Sequence, residues 1–211
     1  MKTRWILAAF AFTILALPAH AQIDIAVWGS MLEPQGSNVF EDPLDPDFDS
    51  ELNFDSNIGF GVSANIFWTE RVSTEIAAYA VDADTTLSFP GGPDFDLGPL
   101  ELTPITGTLQ FHFAPRSTIS PYLGVGVAHI LSNEFSSNDL DLLEIGEIDV
   151  DDATTWLANA GLAFSITPSF GIILDAKYFP FEPATRAAGD PQDLDIEINP
   201  LLLSVGLRLR F

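Results

Sequence analysis

The last strand-like segment of the chain, residues 199–211, limits the fold more than any other stretch. Every second residue from Leu201 to Phe211 is apolar, and the opposite face carries Arg208 and Arg210. This strict alternation predicts a β-strand with one apolar and one polar face. Soluble β-sandwiches and outer-membrane β-barrels both use such strands, so the rest of the chain has to distinguish the two.

The start of the chain predicts a secretory signal peptide. Basic residues precede an apolar run at residues 5–17, and an Ala-x-Ala cleavage sequence ends at Ala21. A transmembrane helix needs about 20 apolar residues, so this run is too short to span a bilayer. We therefore expect residues 1–21 to be cleaved and residues 22–211 to form one domain.

The charge of the chain excludes nucleic acid as a partner. Thirty Asp and Glu residues stand against eight Lys and Arg, for a formal net charge of −22, so the chain has too few cations to neutralise the phosphate backbone of a nucleic acid. The chain has no cysteine, which excludes disulfides, thiolate metal sites and a cysteine nucleophile.

Eight segments alternate between apolar and polar residues and predict eight strands. They are residues 24–30, 52–68, 72–81, 104–113, 121–131, 154–166, 169–179 and 199–211. The connections alternate between long and short. The long ones are acidic or rich in Pro and Gly (32–51, 82–103, 132–153 and 180–198), and the short ones are 69–71, 114–120 and 167–168. This pattern is typical of an all-β, eight-stranded antiparallel transmembrane β-barrel with four long outer loops and three short periplasmic turns.

Charged residues fix which face of each strand points inward. A Lys or Arg facing lipid at mid-bilayer costs roughly 2–4 kcal/mol, so the register that turns charges into the lumen is favoured. The predicted lumen-lining and selectivity residues are Asp24, Glu75, His112, Tyr122, Asp175, Lys177, Arg208 and Arg210. From strand direction, we expect Asp175 and Lys177 near mid-depth and the other charged groups together at the periplasmic end. Inward Gly124 and Gly126 would make room for Tyr122.

Two stretches resemble the OmpW family of outer-membrane proteins. Residues 102–113 and 120–127 are similar to that family's fourth and fifth strands, and residues 199–211 resemble its last strand. The resemblance implies an eight-stranded barrel with a narrow, rather apolar channel for small hydrophobic molecules, which opens sideways into the membrane.

Catalysis and metal binding are weaker hypotheses. His129 lies near Ser132 and Glu134, which suggests a hydrolase, but such grouping at a loop edge is common by chance. An acidic run around Asp45 suggests calcium. However, an EF-hand counted from Asp45 needs Gly and Glu where this chain has Ser50 and Ser56. We therefore predict no enzyme, no cofactor and no metal site.

The function predicted from the sequence is a narrow passive channel in the Gram-negative outer membrane. The alternative is a plugged structural barrel whose acidic loops contact partners or cations bound to lipopolysaccharide. The expected partners are the lipid bilayer, lipopolysaccharide, small hydrophobic solutes and, through the C-terminal strand ending in Phe211, the outer-membrane assembly machinery.

Overall fold

The structure is a computed structural model. It describes residues 22–33, 38–40, 50–88, 95–132, 148–150, 152–180, 184–187, 194–195 and 199–211. The described strands are β1 Gln22–Glu33, β2 Asn38–Phe40, β3 Ser50–Ser56, β4 Ile58–Phe67, β5 Val72–Ser88, β6 Phe95–His112, β7 Ile119–Ser132, β8 Ile148–Val150, β9 Ala153–Ser165, β10 Phe170–Tyr178, β11 Ala184–Ala187, β12 Leu194–Asp195 and β13 Leu201–Arg210. Within these residues, no helix is long and apolar enough to cross a membrane.

Eight long strands close into an antiparallel barrel, as predicted. Neighbours pair in the order β5, β4, β1, β13, β10, β9, β7 and β6, and pairing of β5 with β6 closes the ring. The first and last strands of the chain are paired from Asp24↔Arg210 to Glu33↔Leu201. Closure leaves no free edge among the eight strands, because each has an antiparallel neighbour on both sides.

The two ends of the barrel differ in their connections. Short turns at 68–71, 113–118 and 166–169 lie at one end, together with the start of β1 and the end of β13. We call this the turn end and the opposite end the loop end. At the loop end, β8, β11 and β12 form a separate three-stranded sheet from segments predicted as loops.

The second connection differs from its prediction as a loop. Residues 82–88 continue β5 and residues 95–103 begin β6, and the two pair as far as Leu87↔Phe95. The acidic and Pro-rich composition of this stretch suggested a loop, but antiparallel pairing needs only backbone groups on each strand. The second strand is also interrupted, because Asn57 separates β3 from β4.

The outer wall of the barrel is apolar, and its rims are aromatic. The outward-facing residues of the long strands are mostly apolar and are exposed or half-exposed, for example Val27, Leu123 and Val205. Aromatic rings lie at both rims, with Trp68 at the turn end and Trp156 at the loop end. This arrangement of an apolar band between aromatic girdles matches a bilayer-spanning barrel. The register predicted from charge is therefore the one that the structure adopts.

Candidate functional site

Three layers of side chains occupy the barrel interior. Next to the loop end is an apolar layer of buried residues: Leu32, Val81, Leu102, Ala128, Ile130, Leu157, Phe179 and Leu202. Below it lies an ionic trio of Glu75, Asp175 and Lys177. At the turn end, Asp24, Arg208 and Arg210 form a second charged group, the mouth cluster. The inward residues of successive strands build these layers because side chains alternate at period two.

The ionic trio is sealed from water. Lys177 is fully buried, and its Nζ contacts Asp175 Oδ1 and lies 3.0 Å from Glu75 Oε1. Asp175 Oδ2 accepts hydrogen bonds from Tyr122 Oη at 2.7 Å and from Asn159 Nδ2 at 2.9 Å. Asp175 is therefore held by three donors, as a buried carboxylate requires.

Two aromatic rings enclose the Lys177 ammonium. It lies 5.6 Å from the centroid of a Trp28 ring and 5.5 Å from that of Tyr79. Both distances are within the range of cation–π attraction. Trp28 is itself fixed by a hydrogen bond from Nε1 to Ser63 Oγ at 2.9 Å. The trio and its two rings therefore fill the centre of the barrel.

Three large inward rings each lie opposite a glycine on a neighbouring strand. Trp28 is in register with Gly206, Tyr79 with Gly61, and Tyr122 with Gly161. A Cβ added to any of these glycines would come within 2.3–2.5 Å of the facing ring. The rings therefore occupy space that only glycine leaves free.

The prediction that Gly124 and Gly126 make room for Tyr122 was wrong. Tyr122 uses the space at Gly161, whereas a Cβ on Gly124 would meet Asn159 Oδ1 at 2.2 Å.

The mouth cluster joins the first and last strands. Arg210 donates from Nε to Asp24 Oδ1 at 2.8 Å and from Nη2 to Asp24 Oδ2 at 2.7 Å. Arg208 lies farther away, with Nη1 at 3.5 Å from Asp24 Oδ2, and donates from Nη2 to Ser165 Oγ at 2.9 Å. A single carboxylate thus faces two guanidinium groups.

A polar ladder connects the two charged groups. Asn65 Nδ2 donates to Gln110 Oε1 at 3.0 Å, and Ser73 Oγ lies 2.9 Å from His112 Nε2. A void lined by the ladder, by Glu75 and by Asp24 and Arg208 has a volume of only about 10 Å³. A single water needs roughly that much space, so this void does not admit a solute.

The structure buries seven of the eight predicted lumen residues and leaves Arg210 partly exposed at the mouth. It differs from the prediction at Glu75, which contacts Lys177 instead of joining the turn-end group. Sequence reasoning missed Trp28 and Tyr79, although both follow predicted inward residues at period two, Asp24 and Glu75.

The residues behind the catalysis and calcium hypotheses are only partly described by the structure. His129 is exposed, and its Nδ1 lies 2.8 Å from Thr154 Oγ1. Glu134 and the acidic run at residues 41–49 lie outside the described residues. Among the residues that are described, no three His, Asp or Glu side chains are grouped to hold a metal ion. The signal-peptide prediction also concerns undescribed residues and stays a prediction.

Comparison with known proteins places the chain in a family. The OmpW family model matches residues 37–211. Outer membrane protein W of Vibrio cholerae is 27% identical over 77% of this chain and 77% of its own length. Outer membrane protein AlkL of Ectopseudomonas oleovorans is 28% identical over 75% of this chain and 64% of its own.

Solved structures share the fold. The crystal structure of OprG from Pseudomonas aeruginosa superposes with a TM-score of 0.76 at 14% identity, over 90% of this chain and 96% of that one. AlkL in lipid bilayers gives a TM-score of 0.59 at 20% identity, over 90% of each chain. Together with the closed barrel and its apolar outer wall, the family match over most of the sequence leads to one conclusion: the chain belongs to the OmpW family of outer-membrane β-barrel proteins.

Proposed function

We propose that the protein provides a passive route for small apolar solutes, which enter at the loop end and leave sideways into the bilayer. The division of the lumen carries this proposal. The lumen next to the loop end is packed with apolar side chains, whereas the ionic trio and the polar ladder below it occupy the axis of the barrel. A solute that enters the apolar layer therefore needs an exit through the wall.

One interruption in the pairing of β5 with β6 supports such an exit. The β5–β6 ladder is continuous up to Ala78↔Ile105 and resumes at Val81↔Leu102. The residues between these pairs, 79–80 and 103–104, form what we call the seam, and one of them is Pro104. Proline has no N–H to donate, so the ladder is weaker there. Tyr79 and Val81 place the seam at the boundary between the ionic trio and the apolar layer.

A reversible cross-link tests this route. Ala80 and Thr103 are both exposed on the outer wall, on opposite sides of the seam, and the chain contains no cysteine of its own. We expect Ala80→Cys/Thr103→Cys, when oxidised, to abolish uptake of a small apolar dye into proteoliposomes, and reduction to restore it. The matched control is Thr74→Cys/Leu109→Cys, which bridges the same strands where they are already paired. Uptake that continues through the oxidised seam would reject the sideways route.

A sealed structural barrel is the second candidate. It is favoured by the near-complete burial of the central side chains, since Lys177 and Phe179 are fully buried and Tyr79 is 1% exposed. Both candidates predict no ion conductance in a planar bilayer. They differ in dye uptake, which a structural barrel would not accelerate above that of empty liposomes.

We also propose that the outer-membrane assembly machinery recognises Phe211. The support is that this terminal aromatic is exposed at the turn end, after a strand whose outward face is apolar throughout. Deletion of Phe211 is expected to reduce the folded protein recovered from outer membranes, while refolding of the purified variant into detergent stays unchanged. Equal losses in both would indicate a purely structural role. Interactions with lipopolysaccharide through acidic loops stay a prediction, because most of those loops lie outside the described residues.

A further inference from the structure

The turn end of the lumen contains a cavity that the solute route does not use. Its volume is about 260 Å³, compared with roughly 30 Å³ for one water in the liquid. Arg208, Arg210, Ser120 and His112 are among its lining residues, and Arg116 of the second turn borders it. Short turns face the periplasm in outer-membrane barrels, so the cavity opens to that compartment.

Two residues that line this cavity, Arg208 and Ser120, each have a buried donor atom without a hydrogen-bond partner. Arg208 is 3% exposed and its Nε has none, while Ser120 is 7% exposed and its Oγ has none. Asp24 does not reach this Nε: its Oδ2 lies 3.5 Å from Arg208 Nη1, and Arg210 binds both of its oxygens more closely. Buried donors are nearly always paired in native proteins, so unpaired ones beside a cavity mark a place for an acceptor.

The charge around the cavity is opposite to that of the chain. Only six Lys and Arg residues follow residue 21, and four of them lie at the turn end: Arg71, Arg116, Arg208 and Arg210. The described acidic residues at this end are Asp24 and Glu70. A net positive mouth on a chain with a formal charge of −22 concentrates anions from solution.

From these observations we propose that the turn-end cavity binds a small oxyanion, a phosphate or carboxylate dissolved in the periplasm, through Arg208, Arg210 and Ser120. Guanidinium and hydroxyl groups supply hydrogen-bond donors that match phosphate and carboxylate oxygens. Membrane lipids lie outside the apolar wall, whereas this cavity lies inside the barrel. The site is separate from the solute route, because the polar ladder lies between them and the void at the ladder has a volume of only about 10 Å³.

Inorganic phosphate is the probe for the test. The full barrel is labelled with ¹⁵N-arginine in alkyl glucoside micelles, which contain no phosphate, and the Arg208 Nε–Hε signal is followed as phosphate is added. We expect a saturable shift of that signal. Ser120→Ala and Arg208→Gln each remove one donor to a charged ligand and should weaken phosphate binding, as measured by calorimetry, by about tenfold or more.

Arg71→Gln is the matched control. It removes the same charge from the same end of the barrel, but Arg71 is exposed and does not line the cavity. We expect it to change phosphate affinity less than twofold. Absence of a saturable shift in the wild-type protein would overturn the proposal even if Arg208→Gln fails to fold. If Arg71→Gln weakened phosphate binding as much as Arg208→Gln, the binding would come from the general positive charge of the turn end, and the proposed site would be rejected. Binding of short-chain phosphatidylglycerol without binding of phosphate would assign the site to a lipid headgroup and overturn it too.

Discussion

The ionic trio and the mouth cluster combine charges in opposite proportions. The trio sets two carboxylates against one ammonium, whereas the mouth cluster sets two guanidinium groups against one carboxylate. The trio is enclosed by aromatic rings, Tyr122 and Asn159, with side chains no more than 4% exposed. The mouth cluster borders a cavity, and the Arg210 side chain is 21% exposed.

This difference separates a structural role from a binding role. Around the trio, Lys177, Tyr122 and Asn159 all donate to Asp175, and the neighbouring void of about 10 Å³ is too small for a ligand. At the mouth, Arg208 has an unpaired Nε and lines a cavity. Charge in a lumen therefore does not by itself indicate selectivity; the presence of free volume beside an unpaired group is the more informative feature.

The largest effect is expected at the trio. Lys177→Met would leave Glu75 and Asp175 facing each other without a cation, and removal of one partner from a buried pair costs about 3–5 kcal/mol. Urea unfolding of the barrel in lipid vesicles measures this loss. The control variant Glu75→Gln/Asp175→Asn/Lys177→Met removes every charge together and should recover most of the stability. A stable Lys177→Met protein would contradict the structural role of the trio.

A smaller effect is expected at the mouth. Asp24→Asn leaves Arg208 and Arg210 without a carboxylate, but water in the cavity can hydrate them. We expect a loss of about 1–3 kcal/mol in the same unfolding assay, together with tighter phosphate binding. If Asp24→Asn costs as much as Lys177→Met, the two clusters are equally sealed and the comparison fails.

Packing around the trio provides a comparable test without changing any charge. Gly206→Ala would place a Cβ 2.5 Å from the Trp28 ring that covers Lys177. Overpacking of this kind costs about 1–3 kcal/mol. Gly29→Ala is the control, since its nearest contact would be 4.0 Å away. Thermal unfolding should separate the two variants, and equal melting temperatures would show that the ring has room to move.

The smallest effect is expected at the exposed pair of Glu70 and Arg116. The hydrogen bond from Arg116 lowers the pKa of Glu70 below its ordinary value, and Glu70 in turn raises the pKa of Arg116. The stability gained is therefore full above the unfolded-state pKa of Glu70 and is lost as the pH falls through its folded-state pKa. Carboxyl NMR titration should show a higher Glu70 pKa in Arg116→Gln. No change would mean that the pair does not persist in solution.

The sequence was sufficient to predict the eight barrel strands and which face of each strand points inward. Alternation at residues 199–211 and the cost of charge in lipid correctly turned Arg208, Asp175 and Lys177 inward. It was not sufficient for the partner of Glu75, because the relative height of residues on distant strands depends on the stagger and tilt of the closed barrel. The contact of Tyr122 with Gly161 could not be predicted for the same reason, because it depends on the register between β7 and β9.

The composition of a segment was also an unreliable guide to pairing. Residues 82–88 and 95–103 are acidic or interrupted by proline, and they pair nonetheless. The candidate oxyanion site was beyond sequence reasoning for a different reason. Ser120 is an ordinary serine at the start of a strand, and only the three-dimensional structure shows that its hydroxyl is buried, unpaired and beside a cavity.

The bidentate contact of Arg210 with Asp24 has a consequence for assembly. The two residues are 186 positions apart, on the first and last strands of the barrel, and they meet only where β1 pairs with β13. The loop-closure entropy of such a distant contact is overcome only after the intervening strands are in place. We therefore expect this ion pair to form late, when β1 and β13 close the barrel. A signal from the Arg210 guanidinium would report, in a folding experiment, the moment at which the chain becomes a ring.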